Sequence, residues 1–242
     1  MSETPYYISL DEAITITQKS PVDIKIEQVS LDEAHGRILA TDLSSKVNDP
    51  PFDNSAMDGF AVRFDDTSTA PTTLSIIATS QAAATEDSIS ISTGEAVQIM
   101  TGAPLPNGAD AIIPVEACIV NGDSVTLNQP SKPHFIRRCG ENIKQGDIGL
   151  EEGNHLSPQA ISMCATMGYD QIPVVKKLKI GIISTGDELK FPGEILSFGE
   201  IYESNSYGLS GLVKALGHTP IRYPSVVDSL DDLRRQFNQA SS

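Results

Sequence analysis

The chain has 242 residues, enough for one or two domains, and carries 17 basic against 32 acidic residues for a formal net charge of −15. That charge argues against nucleic acid and anionic membrane as partners. Hydrophobic residues make up 39% of the chain, tryptophan is absent, and no apolar run is long enough to span a bilayer. The opening MSETPYYISLDEA lacks the basic start and apolar block of a secretory leader. Cys118, Cys139 and Cys164 form no CxxC pair, and His35, His134, His155 and His218 show no zinc-ligand spacing. Three ordinary thiols in a reducing cytoplasm are expected.

In chain order, SLDEA occurs at Ser9 and again at Ser30, and SLDDL begins at Ser229. Serine followed three residues later by a carboxylate is a capping box, so each marks a predicted helix start. From about Ser45 to Pro133 the texture turns to alternating Thr, Ser, Val and Ile, as in TLSIIATS, SISIST and SVTLN. Gly, Pro and Asn break these runs, and NGD at Asn121 predicts a hairpin turn, so an all-β unit is inserted here. A helix is predicted from Ser157 to Met167, with Pro158 in its first turn and Gly168 past its end.

The last third changes again. KLKIGIIS reads as a buried strand. A helix from Asn205 to Leu216 follows, with Leu209, Leu212, Val213 and Leu216 expected on its packed face and Gly217 as its cap. TPIRYPSVV is a second strand and DSLDDLRRQFNQA a second helix. Strand–helix–strand–helix predicts a parallel sheet. Two parallel strands are too few for a stable sheet of that class, so further strands are expected outside this chain.

Three stretches can carry chemistry. One is the proline-stiffened loop with Asp53 and Asp58; another is IMTGAPLPNGADAIIP, where Thr101 and Gly102 follow a strand. The third is ISTGDEL, where Thr185, Gly186, Asp187 and Glu188 follow a strand at its carboxyl end, the edge at which open α/β sheets bind ligands. Asp187 and Glu188 are read either as ligand-facing acids or as helix-start charges. Asn205 reads as an N-cap, and the amides of Ser204, Asn205 and Ser206 as a phosphate cradle. Asp228 precedes Ser229 and reads as a candidate cap. Lys176, Lys177 and Lys179 read as a solvated linker.

Taken together, NSAMDGFAVR, IMTGAPLPNGADAIIPVE, RRCGENIKQGD, ISTGDEL and SNSYGLSGLVKALG, in this order and spacing, closely resemble the molybdopterin molybdenumtransferases, a family that includes the C-terminal part of gephyrin. The resemblance covers the N-terminal and part of the central region of that family. It implies a multidomain α+β and α/β fold: a linking and dimerisation domain from 1–45 with 141–175, a β lobe at 46–140, and an incomplete parallel α/β molybdopterin-binding domain at 176–242; the composition shift at both edges of the lobe predicts a hinge near Lys46 and Arg137. It implies Mg²⁺-dependent insertion of molybdate into adenylylated molybdopterin with release of AMP. The implied partners are a second subunit, completing a cleft between the β lobe of one copy and the α/β domain of the other, and a molybdopterin adenylyltransferase. By the same resemblance Asp58, Thr101 and Glu188 are catalytic, Thr101 as a hydrogen-bond donor. Gly186, Ser204, Asn205 and Asp228 bind the cofactor, and Asp187 and Glu188 hold the metal. Asp53 is expected to tolerate change. Where many relatives carry aspartate this chain has Asn142, which keeps the hydrogen-bonding shape without the charge. The family continues past Ser242, so this chain is expected to be truncated and inactive alone. A non-catalytic scaffold of gephyrin type is the alternative.

Overall fold

A computed structural model of the chain describes residues 8–83, 89–131 and 135–241. The first seven residues of the opening segment, part of the TEDSISIST stretch and His134 lie outside these.

The first body is built from both ends of the sequence that surrounds the β insertion. Strand Ile26–Ser30 runs antiparallel to Gln171–Val175, and Leu43–Ser44 antiparallel to Ile148–Leu150. Helix α1 spans Leu10–Lys19 and α2 spans Pro158–Thr166. Val29, Leu39, Leu43, Leu156, Cys164, Met167, Ile172 and Val174 form one buried cluster, so segments over a hundred positions apart share a core. Ser9 caps α1 with the predicted reciprocal pair to Glu12, yet no α1 residue is buried. Ser157 caps α2 on the Ala160 amide at 3.2 Å. The helix start predicted at Ser30 is corrected to a 3₁₀ turn of three residues, Leu31–Glu33. Gly36, at φ +73°, turns the chain immediately afterwards, so the helix cannot propagate.

The insertion folds around a six-stranded sheet in the order Ala111–Pro114, Gly59–Val62, Glu95–Ile99, Thr72–Ser80, Ser124–Leu127 and Cys118–Asn121. All neighbours are antiparallel except Thr72–Ser80 and Glu95–Ile99. Phe60 and Val62 join Leu74, Ile113 and Val125 on one face, while Ala61 joins Ile99, Ile112 and Ile136 on the other. Alternation on a strand covered on both faces explains why Gly59–Val62 is buried at every position. The Asn121–Ser124 hairpin turns at Gly122, φ +59°, as the sequence predicts.

The two chain crossings between these bodies are laced together. The Asp49 amide donates to the Ile143 carbonyl at 2.9 Å, and the Gly140 amide to that of Pro50 at 2.9 Å.

In the last segment Lys179–Ile182 pairs in parallel with Thr219–Arg222, connected through α3, Asn205–Ala215. Helix α4, Leu230–Ala240, follows, and Gly181 faces Tyr223 and Ala240. Short strands Leu189–Lys190 and Ile201–Tyr202 also pair in parallel. The leucine face expected to pack α3 is corrected. Ser206, Ser210 and Val213 are its buried residues, and Leu209, Leu212 and Leu216 are exposed. The sheet offers α3 only two strands, and the small serines let the helix lie close on them. Among the described residues no helix is long and apolar enough to cross a membrane. All three cysteines are free, and burial beside Glu116 pushes the Cys118 thiol up to about 11.

Candidate functional site

The sequence placed Asp58 at the tip of a stiff loop beside a glycine. The β lobe explains both. At Gly59 a side-chain carbon would collide with the Ile113 carbonyl of the adjacent strand, so glycine is a packing requirement. Asp58 lies at the loop end, and its carbonyl accepts the Val115 amide at 3.1 Å. Upstream, the Gly102 amide donates to the Ser55 carbonyl at 2.8 Å, and the Ser55 hydroxyl to that of Met57 at 2.5 Å. Both walls of the loop are therefore fixed.

The register Gly59↔Ile99 brings Thr101 alongside. Its amide and its hydroxyl both donate to Asp58 Oδ1, at 2.7 and 2.8 Å. These bonds, the amide first, hold the Asp58 carboxyl below its ordinary value, so it is ionised at neutral pH. Asp58 Oδ2 makes no hydrogen bond among the described residues, and the side chain is exposed. The arrangement is a carboxylate with one oxygen clamped and one presented. It revises the role expected of Thr101: its only hydroxyl proton is committed to Asp58, so toward a ligand that oxygen can accept but not donate.

Asp53, in the same loop, is bonded at both carboxylate oxygens. Its carboxylate accepts the Cys139 amide at 2.8 Å and the Arg138 guanidinium at 2.6 Å. The Cys139 amide is the main reason its carboxyl sits low, assisted by Arg138. Asp53 thus ties its loop to the returning chain. Nearby, the Asn142 side-chain amide donates to Asp49 at 2.8 Å.

A second cluster forms at the carboxyl ends of the parallel strands. Thr185 bridges Val226, and the Gly186 amide donates to the Val226 carbonyl at 3.1 Å. Asp187 Oδ1 accepts the Asp228 amide at 3.1 Å, so the two loops that carry these acids are joined. At Gly186, φ is +151°, and a side-chain carbon would lie 2.6 Å from Glu188 Oε2. Glycine there lets the Glu188 carboxylate fold back over the turn. The helix-start reading of Asp187 and Glu188 is excluded, because Leu189–Lys190 continues as a strand. Asp187, Glu188 and Asp228 are all exposed.

Sequence reasoning missed Glu203. It is 2% exposed and sits at the start of α3. The Ser206 amide and hydroxyl donate to its two carboxylate oxygens at 2.7 and 2.5 Å, and the Ser184 hydroxyl adds a bond of 3.1 Å. Burial pushes its carboxyl up, but the Ser206 and Ser184 bonds and the Arg222 charge outweigh it, holding the group below its ordinary value. The signal was present: a carboxylate three residues before a serine is a reversed cap. Glu203 therefore occupies the Ser206 amide that was expected to help cradle a phosphate. The N-cap is Ser204 rather than Asn205, and its side chain makes no capping bond. The Ser204 and Asn205 amides are not so occupied.

The structure thus joins Asp58 with Thr101, and Asp187 with Asp228, with Gly186 and Glu188 on the Asp187 loop. No hydrogen bond or ion pair among the described residues links the two clusters. Nor do the described residues assemble three or more His, Cys, Asp or Glu side chains as a metal site. The oxygen donors of Asp187 and Glu188 nevertheless suit Mg²⁺, which takes one or two carboxylates and retains waters or substrate phosphates.

Comparison with known proteins gives a consistent picture. The family described as MoeA N-terminal region (domain I and II) matches residues 8–168. A molybdopterin molybdenumtransferase of Haemophilus influenzae is 38% identical over 240 residues, covering 97% of this chain and 58% of that protein. Molybdopterin molybdenumtransferase 2 of Mycobacterium tuberculosis is 41% identical over 194 residues, covering 78% of this chain and 48% of that protein. The chain thus spans about half the length of these relatives. The crystal structure of a molybdopterin biosynthesis MoeA protein from Pyrococcus horikoshii superposes with a TM-score of 0.85 at 30% identity, covering 97% of this chain and 61% of that one.

Proposed function

This chain belongs to the MoeA family, and from that premise we propose that it serves molybdenum cofactor biosynthesis as a molybdopterin molybdenumtransferase. The reaction proposed is insertion of molybdate into adenylylated molybdopterin with release of AMP. The observation that carries this reading is the Asp58–Thr101 clamp, which presents one free anionic oxygen from a rigid loop.

Within that reaction the chain's own groups divide the work. Asp58, kept ionised by Thr101, offers its free oxygen to orient a protonated group of the ligand or a metal-bound water. Thr101 acts through Asp58. Asp187 and Glu188 would hold Mg²⁺, which when bound neutralises charge on the pyrophosphate; without a cation these acids would repel both that group and molybdate. Asp228 fixes the Asp187 loop, and the Ser204 and Asn205 amides face a ligand phosphate or pterin. The reading includes a homodimer whose cleft takes the β lobe from one subunit and the α/β segment from the other, in keeping with the lack of a hydrogen bond between the two clusters among the described residues. A molybdopterin adenylyltransferase would supply the substrate.

The test is AMP release from adenylylated molybdopterin, with molybdate and MgCl₂, by the protein and by its Asp58→Asn variant. Molybdate-dependent release that falls with Asp58→Asn supports the reading. Release that is absent from the unaltered full-length protein, or undiminished in the variant, overturns it.

A further inference from the structure

Two cations, Lys214 and Arg222, flank a groove in the last segment, and neither is in an ion pair among the described residues. The groove, of about 300 Å³, lies between α3 and the strand Thr219–Arg222 and is lined by Tyr207, Ser210, Gly211, Lys214, Pro220 and Arg222. Pro220 and Arg222 are two positions apart on the strand and share a face. Tyr207 with Gly211, and Ser210 with Lys214, are one helical turn apart. Arg222 is held with its guanidinium 3.8 Å from the Tyr207 ring centroid, which fixes its position without neutralising it.

Two further observations point to a ligand. Ser210 is 8% exposed, and its hydroxyl is buried with no hydrogen-bond partner. A serine inside a helix can bond the carbonyl one turn back, and a buried hydroxyl left unpaired is costly. Gly211 lies in the helix interior, where glycine is disfavoured, yet a side-chain carbon there would meet nothing within 4 Å. Packing does not require that glycine; its effect is to keep the groove open.

The local charge balance is less acidic than in the rest of the chain. Residues 176–242 carry eight basic and eight acidic side chains, whereas the preceding 175 residues carry nine and twenty-four. Glu203, the carboxylate that feels the Arg222 charge, is already saturated by Ser206 and Ser184.

We propose that this groove is an oxyanion site that takes a phosphate group. Lys214 and Arg222 supply the charge, and the Ser210 hydroxyl supplies a neutral donor. The phosphate is either free or part of a nucleotide.

The experiment titrates the protein with inorganic phosphate and, in parallel, with AMP, at constant ionic strength against chloride. Binding is followed calorimetrically and by thermal unfolding. Saturable binding is expected, about tenfold weaker or more when Lys214→Met or Arg222→Met removes one cation, and retained in Lys214→Arg and Arg222→Lys. Ser210→Ala separates binding from folding: its Tm without phosphate should equal or exceed that of the parent, while its phosphate-induced rise in Tm shrinks. Tighter binding of AMP identifies a nucleotide phosphate; equal or weaker binding identifies the free ion. No saturable binding of either probe, or binding undiminished in the Lys214→Met/Arg222→Met double variant, overturns the proposal.

Discussion

Thr101 gives both of its donors to one oxygen of Asp58, the amide at 2.7 Å and the hydroxyl at 2.8 Å. Strand register makes this possible, because Gly59 and Ile99 are the terminal pair of two antiparallel strands and Asp58 and Thr101 lie just beyond it on the same side. Asparagine at 58 could accept the same two bonds through its carbonyl oxygen. Asp58→Asn should therefore change stability by no more than about 0.5 kcal/mol. AMP release should fall about a hundredfold or more, the range for a lost acid–base group. Thr101→Val keeps the amide bond and loses the hydroxyl, so the Asp58 carboxyl should titrate at a higher pH than in the parent. Melting curves, product assays and carboxyl NMR titration check the three outcomes.

Asp53 provides the contrast. Both of its oxygens are used, by Cys139 and Arg138, and the contact closes the loop. Asp53→Asn keeps one acceptor and loses the charge, which should cost about 1 kcal/mol at most for a pair this exposed. Asp53→Ala removes both bonds and should cost more. A double-mutant cycle with Arg138→Met, read by denaturant unfolding, isolates the ion pair. The sign with pH is set by the lowered carboxyl: the stabilisation is complete above the ordinary carboxylate value and is lost as pH falls through the native one.

Glu203 should be the most sensitive carboxylate for folding. Glu203→Ala leaves the Ser206 amide and two hydroxyls without their acceptor, an expected loss of about 2 kcal/mol or more. Glu203→Gln retains an acceptor and should cost less. Because the Glu203 carboxyl is held low, the stabilisation persists from neutral pH to the ordinary glutamate range. It disappears only as pH falls through the lower native value. Unfolding free energies measured across acid pH for parent and Glu203→Gln should converge at the acid end.

Asn142 donates to Asp49, an arrangement that only an amide supports at neutral pH. Asn142→Asp would place two carboxylates at hydrogen-bond distance, and one of the pair must titrate upward. The raised group makes the variant least stable, relative to the parent, at neutral pH. The deficit should shrink as the pH falls and the pair shares a proton. Tm against pH for both proteins checks this; parallel profiles would show that the two side chains do not meet.

Local signals in the sequence determined the elements whose causes are local. The serine–carboxylate pairs at Ser9 and Ser229 mark true helix starts, the Asn121 hairpin turns at Gly122, and Pro158 opens α2, because caps and turns depend on neighbours within four positions. The motif strings likewise singled out Asp58, Thr101 and Asp187 as candidates. What each residue does was decided by contacts that sequence separation hides. Thr101 meets Asp58 across 43 positions and Asp53 meets Arg138 across 85, through strand register and chain return that no local pattern encodes. The same applies to α3: its leucines follow the helical period, but the two-strand surface beneath it accepts Ser206, Ser210 and Val213 instead. Periodicity states which residues can share a face; the shape of the opposing surface selects the face that is buried.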